Sequence, residues 1–166
     1  AQRGSTTGQW RYNSTTGFFE GRNTDGTFST LQPDPVVTSV DDGEVDSAGG
    51  GNQTIVVTGQ NFTSGGTITF VGSSADFNAT TTTFNSTTQI TAVAPKSSFL
   101  NAQEPYKVKF TSVSGKTGES TTGLISVDNI PTFGVASGTL GTLADNNRAS
   151  SNLTTVTATD ADGDSI

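Results

Sequence analysis

TIVVTGQNFTSGGTITFVG, residues 54–72, sets two runs rich in β-branched residues on either side of Ser64-Gly65-Gly66. Branched β-carbons are stiff at χ1 and suit a half-exposed pleated surface better than a helix. Ser64-Gly65-Gly66 supplies the positive φ angles of a tight turn. Residues 54–60 and 67–71 are therefore expected to be the second and third strands of a β-sandwich, joined as a hairpin.

The same pattern continues outward from this stretch. Runs at 36–40, 80–84, 89–93, 106–111 and 124–127 bring the set to seven, with turn residues at roughly 8–15-residue spacing, as a sandwich requires. In Tyr106-Lys107-Val108-Lys109-Phe110 the apolar residues share one face and both lysines the other, which is a half-buried strand. Ser114-Gly115-Lys116-Thr117-Gly118 is expected to turn the chain as Ser64-Gly65-Gly66 does.

Prolines mark the ends of this region. Gln32-Pro33-Asp34-Pro35 and Asn129-Ile130-Pro131 each force extended backbone before the ring and remove a donor. The expected division is 1–32, 33–128 and 129–166, the last containing a strand-like 153–159 and too short for a complete domain. Residues 1–32 hold Trp10, Tyr12, Phe18, Phe19 and Phe28, five of the thirteen aromatics. A segment this short cannot bury them alone, so packing against copies of itself in an oligomer is expected.

Composition excludes several classes. With 30% hydrophobic and 14% charged residues, the chain fits neither a helical bundle nor a charge-driven disordered tail, and no long helix is expected. Net charge is −7 and the eight Lys and Arg do not cluster, so no nucleic acid partner is expected. The absence of Cys rules out disulfides and thiolate metal sites. No run of about 18 apolar residues occurs, so no membrane insertion is expected.

Without His or Cys, the commonest general base and the most reactive nucleophile are missing, and the chain is read as non-enzymatic. Asp160, Asp162 and Asp164 space three carboxylates as a calcium loop does, making calcium the one candidate cofactor. Asp41, Asp42, Glu44 and Asp46 form a second acidic group, read as a polar loop leading into Gly49-Gly50-Gly51. The aromatics around Trp10 are candidates for a subunit interface, with sugar stacking as the competing use.

Three resemblances follow the same order along the chain. Residues 35–128 resemble the IPT/TIG family of immunoglobulin-like domains, through Pro35-Val36-Val37, the strand ending in Gly59-Gln60-Asn61-Phe62, and the later QITAVAP (89–95) and YKVKFTSVSGKTG (106–118). Residues 1–32 are similar to a motif of tailed-phage fibre and virion proteins, here Tyr12-Asn13, Thr16, Phe19-Glu20-Gly21 and Gly26 to Leu31. From Ile130, Leu140-Gly141-Thr142-Leu143 and the acidic stretch at 160–164 are similar to the start of cadherin-like repeats.

Together these imply an all-β chain: an IPT/TIG-type immunoglobulin-like sandwich, preceded by a small aromatic-rich β segment and followed by a partial second sandwich. The order implies a structural fibre or decoration protein of a marine tailed phage, cyanophages included, located on the virion and displaying modules for assembly and host attachment. Expected partners are copies of itself, as a trimer, other virion proteins, and host-surface glycans. The alternatives are a bacterial cell-surface adhesin or a non-catalytic carbohydrate-binding accessory module.

Overall fold

The computed structural model describes residues 8–15, 17–47, 49–128, 132–133 and 158–159. Strands dominate, and among the described residues the only helical turns are single 3-10 turns at Lys96–Ser98 and Asn101–Gln103. The first three strands, β1 (Trp10–Asn13), β2 (Phe18–Arg22) and β3 (Phe28–Thr30), form an antiparallel sheet in sequence order.

The remainder of the described chain is mostly a sandwich. Its strands are β4 (Val36–Val40), β5 (Glu44–Asp46), β6 (Asn52–Gln60), β7 (Thr67–Val71), β8 (Asp76–Asn78), β9 (Thr81–Ser86), β10 (Gln89–Pro95), β11 (Lys107–Thr111), β12 (Thr117–Glu119) and β13 (Ser126–Asp128). One sheet has the order β4-β6-β10-β9 and the other β12-β11-β7-β8. Lettering β4, β6, β7, β9, β10, β11 and β12 from A to G gives A-B-E-D facing C-F-G, the immunoglobulin order, with β8 beside C. A further pair, β14 (Thr132–Phe133) and β15 (Ala158–Thr159), is antiparallel; of the expected 153–159 strand, the rest lies outside the described residues.

The core forms because alternate residues of both sheets point inward. Ile55 and Val57 of β6 sit opposite Ala92 and Ile90 of β10, while Ile68 and Phe70 of β7 sit opposite Phe110 and Val108 of β11. All eight are fully buried. Each large one contributes roughly 1.5–3 kcal/mol by leaving water. Tyr106, Val108 and Phe110 face the core as their alternation requires, and Lys107 and Lys109 point out toward Glu119 and Asp76.

At one end Phe70, Phe77, Phe99 and Tyr106 pack with ring centroids 4.9–5.7 Å apart, mostly edge to face. The Tyr106 hydroxyl accepts from Leu100 N at 2.7 Å, and burial raises its pKa above the ordinary value. Gln103 locks the neighbouring β7–β8 turn. Its Oε1 accepts from the backbone N–H groups of Ser74 (2.8 Å) and Ala75 (3.0 Å) and from Ser74 Oγ (2.9 Å).

The stretch at 54–72 is not a hairpin. β6 pairs with β4 and β10, whereas β7 pairs with β11 and β8, so residues 61–66 arch from one sheet to the other. The turn chemistry holds at Gly65 alone of the three, with φ 80°, and Asn61 outside the triplet adds a second positive φ of 59°. What redirects the chain is Phe62, which is 1% exposed and stacks 5.0 Å from Phe110 across the core. A connection anchored by a buried aromatic closes the end of a sandwich, where a two-residue hairpin has no room for one. Residues 112–116 do form a hairpin turn, with Ser112 N donating to Lys116 O and Gly115 at φ 81°.

The acidic stretch at 41–46 is also more ordered than a polar loop. Val45 is fully buried and β5 pairs in parallel with β13, Val45 opposite Val127. Glu104 accepts from Val127 N through Oε2 and from Asn101 Nδ2 through Oε1. The Tyr106–Ile125 bridge ties this pair to the β11 side. The opening strand is thus split, β4 serving the β4-β6-β10-β9 sheet and β5 forming a separate parallel pair with β13.

Candidate interaction face

The N-terminal sheet owes its register to two turns. Gly17 N donates to Asn13 O at 2.8 Å, with Gly17 at φ 76°. In the second turn Asn23 N donates to Thr27 O at 2.8 Å, and Asp25 Oδ1 accepts from Thr27 N (2.9 Å) and Thr27 Oγ1 (2.6 Å). Those bonds hold the Asp25 carboxyl below its usual pKa. The register then sets Tyr12 opposite Phe19, Arg11 opposite Glu20 and Arg22 opposite Phe28.

One face is polar and closed on itself. Arg11 Nε reaches Glu20 Oε2 at 2.7 Å, Asn13 Nδ2 donates to Glu20 Oε1 at 2.9 Å, and the Arg11 guanidinium lies 4.0 Å from the Phe28 ring centre. Hydrogen bonds from Asn13 first, and from Arg11 next, hold the Glu20 carboxyl below the usual carboxylate range. Glu20 is the most buried residue of this sheet.

The other face is apolar and open. Trp10, Tyr12, Phe19 and Leu31 are 70%, 58%, 53% and 61% exposed. Phe19 lies between Trp10 (centroids 5.8 Å, planes at 57°) and Tyr12 (5.3 Å, 60°). Leu31 lies over Gly21, where a Cβ would come within 2.9 Å of its Cδ2. Beside them Gly17, Phe18, Phe19, Leu31, Gln32 and Pro33 line an open, apolar cleft of about 360 Å³.

The structure therefore gathers three of the five expected interface residues, Trp10, Tyr12 and Phe19, on one surface. Phe18 lines the adjoining cleft, and Phe28 lies on the reverse face beneath Arg11. Leu31 belongs to the surface although its residue type gave no signal; its place follows from the alternation through Ser29 and from the glycine at 21.

This sheet is held to the sandwich by the linker. Ser114 Oγ donates to Gln32 Oε1 at 2.6 Å, Lys116 Nζ pairs with Asp34 Oδ1 at 2.8 Å, and Asn61 Nδ2 donates to Asp34 O at 2.9 Å. Gly118 packs against the Pro35 carbonyl so closely that a Cβ would collide with it.

The acidic group at 41–46 has local tasks. Asp41 Oδ1 accepts from Val56 N at 2.7 Å, Asp42 Oδ2 from Gln53 Nε2 at 2.7 Å, and Asp46 Oδ1 from Gly49 N at 2.9 Å. Among the described residues no group of three His, Cys, Asp or Glu side chains is placed to hold a metal ion. Asp160, Asp162 and Asp164, the expected calcium ligands, lie outside the described residues. In comparisons with known proteins the chain matches no family model and no curated protein.

Proposed function

We propose that the chain is a non-catalytic structural segment of a virion fibre, in which an IPT/TIG-type sandwich holds shape and the N-terminal sheet joins copies of the chain. The observation that carries this reading is the exposed face of Trp10, Tyr12, Phe19 and Leu31. It contrasts with a sandwich interior filled by side chains. Open apolar surface of this kind serves contact. The resemblance of residues 1–32 to phage fibre motifs supplies the virion assignment.

The arrangement of rings favours a protein partner over a sugar. A platform for successive sugar rings is flat, whereas Trp10 and Tyr12 are inclined by 57° and 60° to Phe19. Inclined rings interlock with aromatic edges of another copy. Joined copies present many sandwiches at once, which converts weak contacts with a host surface into avidity.

Immunogold labelling with antibody against residues 36–128 tests the assignment in a culture producing both particles and cells. Gold on virions is expected. Gold confined to the bacterial envelope contradicts it and favours the adhesin reading.

A further inference from the structure

An edge strand offers a row of unpaired backbone groups, and proteins guard such edges with charge, bulges, brevity or cover. Among the described strands most edges are guarded. β1 carries Arg11, β8 carries Asp76 and β12 carries Glu119. β3 has three residues. β4 is bulged between Val37 and Ser39, and the Gly118 backbone packs against its entry at Pro35.

Of the sandwich's described edges, β9 has neither charge nor cover, although it too is bulged, at Asn85 beside Gln89 and Ile90. It closes one end of the sheet order β4-β6-β10-β9 and, among the described residues, pairs with β10 alone. Its six residues, Thr81-Thr82-Thr83-Phe84-Asn85-Ser86, contain no charge, no proline and no glycine. Phe84 sits opposite the fully buried Ile90, yet is itself 37% exposed, because none of the described strands covers it. In a chain of net charge −7, an uncharged edge is where two copies approach with least repulsion.

The geometry points to β9 as a second self-association site, pairing antiparallel with β9 of another copy to join two four-stranded sheets into one of eight. A two-fold axis at Thr83 sets Thr83 opposite Thr83 and Thr82 opposite Phe84, within the regular part of β9 and short of the bulge at Asn85. This keeps Thr82 and Phe84 on the core side in both copies and covers each Phe84. Cross-strand Thr pairs and aromatic–β-branched pairs are stabilising, and antiparallel pairing of identical strands is self-complementary. This interface uses none of the aromatic face and stands or falls separately from it.

The absence of Cys makes the test clean. At the centre of an antiparallel pair, opposed Cα atoms lie about 4.5–5.5 Å apart, within the roughly 4.4–6.8 Å that a disulfide spans. Thr83→Cys and Thr58→Cys, the latter exposed two strands inside the same sheet, are oxidised mildly in the full chain, with and without Trp10→Ala/Phe19→Ala. The expected result is disulfide dimer from Thr83→Cys at least about tenfold faster than from Thr58→Cys, in both backgrounds. Equal rates, or no dimer, overturn the proposal. Dimer that vanishes in the Trp10→Ala/Phe19→Ala background also overturns it, since the aromatic face then holds the copies together. Thr83→Lys, which sets like charges opposite each other, is expected to weaken the pairing by about tenfold in sedimentation; unchanged pairing contradicts the register.

Discussion

Phe62, Phe70, Phe99, Tyr106 and Phe110 are at most 1% exposed inside the sandwich, while Trp10, Tyr12 and Phe19 are 53–70% exposed on the three-stranded sheet. Both sets include Tyr and Phe, and Trp10 is the one addition on the N-terminal sheet. What differs is the number of layers. A sheet buries its apolar face only against another layer, and the sandwich supplies its own second sheet. The N-terminal sheet has closed its polar face with Arg11, Asn13 and Glu20, and no described residue of the chain covers its aromatic face. Aromatic content therefore says where apolar area is concentrated, and layering decides whether that area stabilises the fold or makes contacts.

The sharpest way to break this contrast is to remove one ring from each region. Phe70→Ala should cost about 3–5 kcal/mol of unfolding free energy, because it empties a packed aromatic cluster. Phe19→Ala should change the sandwich by less than about 0.5 kcal/mol, as an exposed surface change does. Denaturant titration followed by circular dichroism checks both, and comparable losses would erase the distinction.

A smaller loss is expected where the two regions meet. Gly118→Ala drives a methyl group into the Pro35 carbonyl, and overpacking of this kind costs about 1–3 kcal/mol. Thermal unfolding measures it, and a neutral result would mean that the linker does not rest on the sandwich. Next comes Gln103→Leu, which leaves the Ser74 and Ala75 N–H groups without their acceptor and should cost about 1–2 kcal/mol. Faster amide exchange at those two positions is the local signature.

The smallest effect is a pH dependence confined to the N-terminal sheet. Glu20 and Asp25 both have folded pKa values below the ordinary ones of 4.5 and 3.8. A lowered carboxyl pKa contributes stability that is present above the ordinary value and is lost as pH falls through the lowered one. Acidification from neutral to below that range should loosen this sheet first. Trp10, the only Trp in the chain, reports it by fluorescence, while the far-ultraviolet signal of the sandwich persists. Simultaneous change of both signals would show that the two regions unfold as one.

Legibility in the sequence followed the length of each pattern. Residues 106–110 alternate over a full strand, and their faces are as that alternation requires. β5, β8 and β12 have three residues each, too few to display a period, and β12 contains Gly118, which reads locally as turn. The arch at 61–66 was misread because Ser64-Gly65-Gly66 specifies that the chain turns, while the partner of each strand is fixed by distant residues, here β10 and β11. At the candidate face the aromatic residues were legible individually. Their division between two faces was not, because face depends on register, and register rests on the Asn13 and Asn23 turns. The same dependence hid Leu31 and separates Phe28, beneath Arg11, from Trp10, Tyr12 and Phe19.

Sedimentation equilibrium of the full chain and its Trp10→Ala/Phe19→Ala variant tests most directly whether the open aromatic face is there for contact. The wild type should sediment as a multiple of 17.0 kDa at concentrations where the variant has lost that assembly step, with the unfolding free energy of the sandwich unchanged. A variant that keeps the wild-type mass, or that loses mass only because the sandwich unfolds, would contradict the account.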